Sequence, residues 1–377
     1  MNIKIFTRII EGGSGLGWTL EVILLLAVVL APLEAGMAWA GNGMVVPAGS
    51  NPHLLVTPAE VWENRDHWLV IDLRDRQAYL AGHVPGAIHL GGRGHEMLRE
   101  DRHIPFYGDE KVDPKRGRLI EHLEPRPVAE MERVFAEAGV SHEHTVVLYS
   151  DHEDTLPGYT FVPFVMLEYL GHRDVRVMDG GIENWWAHRL PLERTESQLP
   201  PSDFRARLRP GVIAREAEIL RLARFNPSYL GDIGVDPHQF QLPQLVDVRL
   251  DVEHSGAQPA PPGHFLFDAV IRTGRIPHTE VNVPHWQQFA DFESLRLKPI
   301  AELAAMYGGL DRQRRTIVYC YIANRASMSY FVLRVLGFAD PAVYHDSWII
   351  WGNNPRLPLV QDPGVKRLPR VPMAGGY

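Results

Sequence analysis

The sequence predicts an α/β protein made of two copies of one domain, each a parallel sheet flanked by helices. Short runs rich in β-branched and aromatic residues alternate with amphipathic stretches of helical period, the order that lays helices on both faces of a parallel sheet. The second half repeats the elements of the first half in the same order, which marks a duplicated domain. The single cysteine of the 377 residues, Cys320, stands where an apolar run gives way to helical period, beyond the carboxyl end of a strand, where such sheets bind ligands.

In the first copy, Thr57-Pro58-Ala59-Glu60 has the form of a helix start, with a capping threonine, proline at the first helical position and glutamate at the third. Trp68 to Arg74 is a buried strand ending in polar residues, Gln77 to Ala81 a short helix, and Gly82 to Ile88 a turn into another strand. Arg126 to Gly139 is an amphipathic helix with Met131, Val134, Phe135 and Ala138 on one face. Thr145 to Tyr149 and Val175 to Met178 are strands around an apolar helix from Gly158 to Leu170, and Asp179-Gly180-Gly181 turns the chain into Ile182 to Trp185.

The second copy follows suit. Ile213 to Phe225 is amphipathic, Gln244 to Arg249 echoes Leu69 to Arg74, and Thr273 to Asn282 echoes Ala81 to His89. Ile300 to Tyr307 is helical, Thr316 to Tyr319 echoes Thr145 to Tyr149, and Val343 to Trp351 echoes Val177 to Trp185. The copies are expected over 52–194 and 211–360, joined by a polar, proline-bearing linker at 195–210 and followed by an extended tail at 361–377. Two stretches exceed what the repeat needs, Gly91 to Arg118 and Asp251 to Arg272; long loops of this kind often bind, and the second lies in the copy that holds Cys320.

Composition narrows the function. Hydrophobic residues make up 45% and charged residues 22%, an ordinary globular balance. The net charge of −8, without a long basic block, speaks against a nucleic-acid partner. One cysteine excludes an intramolecular disulfide and any cysteine-rich zinc site, and the scattered histidines form no His-Glu-x-x-His pattern, so no metal site is expected. At the N-terminus, Lys4 and Arg8 precede the apolar run Val22 to Ala31, and Ala38-Trp39-Ala40 offers small residues at the two cleavage-determining positions. This pattern predicts an export signal over 1–40, cut after Ala40, and a periplasmic protein. The alternative is an uncleaved anchor that holds the body on the periplasmic side of the membrane.

Cys320 lies between a strand end and a helix start, where converging N–H groups and the positive end of a helix dipole favour a thiolate, the nucleophilic form. Arg325 adds a positive charge five residues on. The bland alternative is a small buried hydrophobe.

Taken in order, Asp-x-Arg at Asp72 and Asp247, Gly-His-Val-Pro-Gly-Ala-Ile at Gly82, the strand ending at Cys320, and Asp-Gly-Gly-x-x-x-Trp at Asp179 resemble the rhodanese domain. The two-copy layout resembles the tandem-domain rhodanese-like sulfurtransferases, and the run from Asp346 to Pro355 resembles the closing segment of exported bacterial members. The resemblance implies two tandem rhodanese-like domains and a persulfide on Cys320. That cysteine would take a sulfane sulfur from a small donor, thiosulfate or mercaptopyruvate, and pass it to a thiol or cyanide, or to an acceptor protein. It implies a binding loop at Tyr321, Ile322, Ala323, Asn324 and Arg325, no cofactor, and an inactive first copy, since Ser150-Asp151 stands where the cysteine belongs. Arg275 and His278 are candidates for the substrate mouth, and Asp247 and Arg249 for a supporting buried ion pair. Ala323 replaces a frequent loop glycine, so its turn must tolerate a Cβ. The loop lacks both the Gly-Ser-Gly of mercaptopyruvate enzymes and the Arg-Lys of thiosulfate enzymes, which leaves the donor open, and Arg325 is its one formal charge. Phosphatases and arsenate reductases of similar fold form an alternative, but their loops hold five residues between cysteine and arginine, and this one holds four. A non-catalytic persulfide carrier is a further alternative, with bulky Tyr321 and Ile322 serving a protein partner.

Overall fold

In a computed structural model, residues 37–39, 45–90, 112–113, 118–119, 127–151, 158–236, 239–258, 270, 272–291 and 293–364 are described. The export or anchor segment expected over 1–40 lies outside them, apart from 37–39, and among the described residues no helix is long and apolar enough to cross a membrane. Strands β1 (Met37–Trp39) and β2 (Val45–Pro47) form an antiparallel pair in a unit of its own.

The first copy runs β3 (Leu55–Val56), α1 (Pro58–Asn64), β4 (Trp68–Asp72), α2 (Arg76–Ala81), β5 (Ile88–His89), the short pair β6 (Val112–Asp113) and β7 (Arg118–Leu119), α3 (Val128–Glu137), β8 (Thr145–Tyr149), α4 (Gly158–Tyr169), β9 (Val175–Met178) and α5 (Gly181–Ala187). The second runs β10 (Ile213–Ala214), α6 (Glu216–Ala223), α7 (Pro227–Asp232), β11 (Gln244–Asp247), α8 (Asp251–His254), β12 (Thr279–Asn282), α9 (Ile300–Met306), β13 (Thr316–Tyr319), α10 (Asn324–Val335), β14 (Pro341–Tyr344) and α11 (Ser347–Trp351). Each copy holds a five-stranded sheet, ordered β3-β9-β8-β4-β5 and β10-β14-β13-β11-β12, with every pairing parallel. The duplication read from the sequence is therefore one of strand order as well. The central strands β8, β11 and β13 are buried nearly throughout, as unbroken apolar runs covered by helices on both faces must be.

Local chemistry sets the element boundaries. Thr57 and Glu60 form the expected reciprocal cap of α1, with Pro58 at its first position. The stretch from Ile213 does not begin as a helix. Ile213 and Ala214 pair with Val343 and Tyr344 as an edge strand, and α6 starts only at Glu216. Much of the expected insertion at 91–118 lies outside the described residues, as do 259–269.

The two copies pack through α4 and α10. Phe161 and Phe164 of α4 meet Phe331 of α10 with ring centres 5.3 and 4.9 Å apart. Glu168 of α4 takes the Arg334 guanidinium at 2.8 Å and the Tyr330 hydroxyl. Main chain before the first sheet joins this contact, with Asn51 donating from its backbone to the Val335 carbonyl and from its side chain to that of Arg334. Buried on nearly every side, α10 has no solvent face, and it is the helix that follows Cys320.

Candidate active site

β13 lies beside β11 in register, Asp247 opposite Tyr319, and the Val248 N–H donates to the Tyr319 carbonyl. Cys320 comes next. Its carbonyl accepts the Trp348 N–H at 3.0 Å, and the Tyr321 carbonyl accepts that of Ile349 at 3.0 Å. These donors belong to the first turn of α11, which has no partner within its own helix. The Cys320 N–H donates to Ser347 Oγ at 3.3 Å. Chain direction then reverses at Ala323, whose φ of 68° is left-handed, and α10 begins at Asn324. Ser327 closes the turn with its N–H and its hydroxyl, both on the Ala323 carbonyl. The sulfur therefore sits at the positive end of a twelve-residue helix, in a loop pinned on its other side by α11.

The Cβ that this turn is expected to tolerate sits in left-handed backbone. Ala323→Gly should stabilise the protein by about 1 kcal/mol, read as a rise in urea midpoint at unchanged slope.

Every residue from Cys320 to Arg325 is buried, Cys320 completely and Ile322 to 5% exposure. Tyr321 and Ile322 face the core cluster with Trp348 and Ile349, so they are not a protein-docking surface. Arg325 is not a free charge either. Its Nη1 and Nη2 lie 2.7 and 2.9 Å from the carboxylate of buried Glu253 in α8. Burial works against the Arg325 charge, but Glu253, and to a lesser degree Cys320, hold its pKa above the ordinary arginine value.

Asp247 and Arg249 form the expected buried pair. Arg249 donates from its N–H, Nε and Nη2 to the carboxylate at 3.0, 2.9 and 2.7 Å, and from Nη2 to the Gly274 carbonyl. The Tyr319 hydroxyl and His254 Nδ1 each reach the Asp247 carboxylate at 2.9 Å. Burial would raise the Asp247 pKa, but Arg249 and then His254 hold it well below the usual carboxylate range. The Arg249 guanidinium lies 4.4 Å from the ring centre of Trp348, which ties the pair to α11. The first copy repeats this with Asp72, Arg74, Tyr149 and the Gly82 carbonyl, so the pair belongs to the fold.

The two candidates for the mouth are engaged elsewhere. Arg275 pairs with Asp362 at 2.5 Å and forms an antiparallel bridge to Val360, much as His83 bridges Glu193 in the first copy. His278 occupies a turn position with φ of 59°, where the first copy has Gly86 at 77°, and its exposed ring donates to the Phe225 carbonyl. The repeat carries both residues as edge and turn elements.

Two residues of the site escape the sequence reading. Glu253 lies in the stretch treated as surplus, yet it stands six positions after Asp247 as Ala78 stands after Asp72. Ser347 replaces Gly181. At Gly181 a Cβ would come within 2.4 Å of the Ser150 carbonyl oxygen, whereas Ser347 adopts a left-handed φ of 50°, and its hydroxyl accepts the Cys320 N–H while donating to the Tyr344 carbonyl.

The matching place in the first copy faces the second copy. Ser150, Asp151, Asp179 and Gly181 line a small cavity walled by Phe289, Leu295 and Leu297 of the second copy. The Leu297 N–H donates to Asp179 at 3.0 Å. Burial raises the Asp179 pKa to about 6, although that hydrogen bond and Arg296 pull the other way. The ionised form is thus disfavoured by folding. Its cost is present above pH 6 and is relieved as pH falls towards the unfolded value of about 4. Asp179→Asn, which keeps the acceptor, should therefore stabilise the protein by up to about 2 kcal/mol at pH 8 and have almost no effect at pH 4, as seen in paired melts.

A rhodanese-like domain profile matches residues 57–188. The chain is 31% identical over 290 residues to a putative thiosulfate sulfurtransferase, SseA, of Mycobacterium tuberculosis, covering 76% of this chain and 83% of that one. It is 29% identical over 322 residues to the sulfur carrier protein TtuD of Thermus thermophilus, covering 83% and 98%. Among solved structures, YnjE superposes with a TM-score of 0.61 at 18% identity, over 82% of this chain and 68% of that one. A variant of EanB in complex with ergothioneine superposes at 0.60 and 18% identity, over 86% and 73%; at such identities the likeness is one of fold.

Proposed function

Because the chain belongs to the rhodanese family of sulfurtransferases, we propose that it moves a sulfane sulfur through a persulfide on Cys320. The Cys320 thiolate attacks the transferable sulfur of a small donor, the outer sulfur of thiosulfate or the single sulfur of mercaptopyruvate, whose C–S bond breaks as pyruvate leaves as its enolate and takes up a proton. With thiosulfate, the donor S–S bond breaks and sulfite leaves with the electron pair. An acceptor thiolate or cyanide then attacks the outer sulfur of the persulfide, and Cys320 leaves as thiolate. The reaction needs no organic cofactor or metal.

The observation that carries this reading is the place of Cys320, at the carboxyl end of β13 and the N-terminus of α10, with its carbonyl fixed by α11. Loop N–H groups of 321–325 and the dipole of α10 would hold the persulfide anion, the electrostatic work of the site. Arg325 contributes less than its formal charge, because Glu253 compensates it. The same pairing withholds Arg325 from a phosphate and weighs against phosphatase chemistry. A persulfide-carrier role is the second reading, favoured by the relative named a sulfur carrier protein. The basic, apolar and Ala-x-Ala pattern of the N-terminus supports export.

Intact mass after incubation with thiosulfate and, separately, mercaptopyruvate tests the proposal. A gain of one sulfur atom, discharged by cyanide or a thiol, is expected. No gain with either donor would favour a carrier loaded by a protein.

A further inference from the structure

We propose that Glu253 is a specificity-determining residue. By compensating Arg325 inside the fold, it leaves the Cys320 cradle without net cationic side-chain charge, and so selects a singly charged sulfur donor over a dianion. The inference rests on the sulfur-transfer reading and deepens it.

Charges around the loop cancel in pairs. Arg325 faces Glu253 through two bonds of 2.7 and 2.9 Å, and Arg249 faces Asp247 through bonds of 2.7 to 3.0 Å. All four side chains are buried. His254 is bound to Asp247. His285, packed near Arg325, is kept neutral by burial and by that arginine. Asp346, buried beside Ser347, adds a further acid on the α11 side. Among the described residues that pack on this loop, a dianion gives up its hydration without meeting an uncompensated cation, and a buried charge without a partner is costly.

The fold does not require the second pair. The first copy keeps Asp72 and Arg74 but has Ala78 where Glu253 stands, and it builds the same sheet. Burying an ion pair is a poor route to stability, so a pair found only at the cysteine points to the chemistry there. Glu253 is also fixed in place, accepting the Leu250 N–H at 3.0 Å. It holds Arg325 at a set distance and acts on the donor through it.

The test uses two donors that differ by one charge. Thiosulfate and methanethiosulfonate carry the same transferable sulfur on a sulfonyl group, with a methyl group in the second replacing an oxyanion of the first. In both, the thiolate of Cys320 forms a bond to the outer sulfur, and sulfite or methanesulfinate departs with the electron pair of the broken S–S bond. Thiocyanate production with cyanide gives kcat/KM for each, divided by that donor's rate with free cysteine. The full-length wild type should favour methanethiosulfonate. In Glu253→Gln the ratio should move about tenfold or more towards thiosulfate, and Glu253→Asp should restore it. A structural role alone would lower both donors together, and an unchanged ratio in Glu253→Gln would overturn the assignment. Should that variant not fold, a wild type that favours thiosulfate overturns it as well. If neither donor loads sulfur on Cys320, the sulfur-transfer reading fails first and takes this one with it.

Discussion

A Cys320→Ser protein is expected to lose sulfur transfer by about a thousandfold or more and to melt within a few degrees of the wild type. The first half of this expectation follows from chemistry. A serine hydroxyl is not ionised near neutral pH, whereas a thiolate attacks unaided. The second half follows from the duplication. Ser150 stands at the same strand end in the first copy, and its carbonyl takes the Ile182 N–H at 3.0 Å as that of Cys320 takes the Trp348 N–H. The backbone there already accepts serine. Thiocyanate formation and a thermal melt check the two halves separately, and retained turnover would remove Cys320 from the mechanism.

Arg249→Met should cost about 3–5 kcal/mol of stability, the largest effect of any substitution outside the apolar core. It leaves the Asp247 carboxylate fully buried with no guanidinium, met among the described residues by the backbone N–H of residue 249, the Tyr319 hydroxyl and His254. Two further bonds go with it, the one to the Gly274 carbonyl and the stacking over Trp348, so α11 and the turn before β12 lose their tie to β11. Arg74→Met should do the same in the first copy, where Asp72 is equally enclosed. Arg275→Met is the contrast. Its partner Asp362 is partly exposed, and an ion pair in that setting is worth less than about 1 kcal/mol. Urea unfolding of the three variants should separate them cleanly; equal losses would mean that the burial of the Asp247 pair is not what makes it matter.

Much of this architecture could be read from the chain alone, because it rests on local signals. Continuous apolar runs such as Thr145 to Tyr149 mark buried strands, and Thr57 with Glu60 marks a helix start. Signals that depend on distant partners were silent. Ile213 and Ala214 have helical neighbours, and only their pairing with β14 makes them a strand. His278 and Arg275 carry chemistry by residue type, but their positions in the repeat are those of a turn glycine and an edge residue. Glu253 could have been found by counting from Asp-x-Arg in both copies, since the glutamate replaces an alanine in one register. Nothing local says that it meets Arg325, 72 residues away. The inward turn of Tyr321 and Ile322 depends likewise on α11 closing behind them.

The packing of α10 against α4 makes the two copies depend on each other. The helix that carries the cysteine loop at one end has its middle wedged against the first copy, through Phe331, Tyr330 and Arg334. Either half taken alone would expose the apolar face that Phe161, Phe164 and Phe331 bury between them, so neither half is expected to be stable without the other. The first copy therefore bears on the cysteine loop through the helix that follows it. Inherited losses of activity are expected to map to Phe161, Phe164 and Glu168 as readily as to the ground around Cys320.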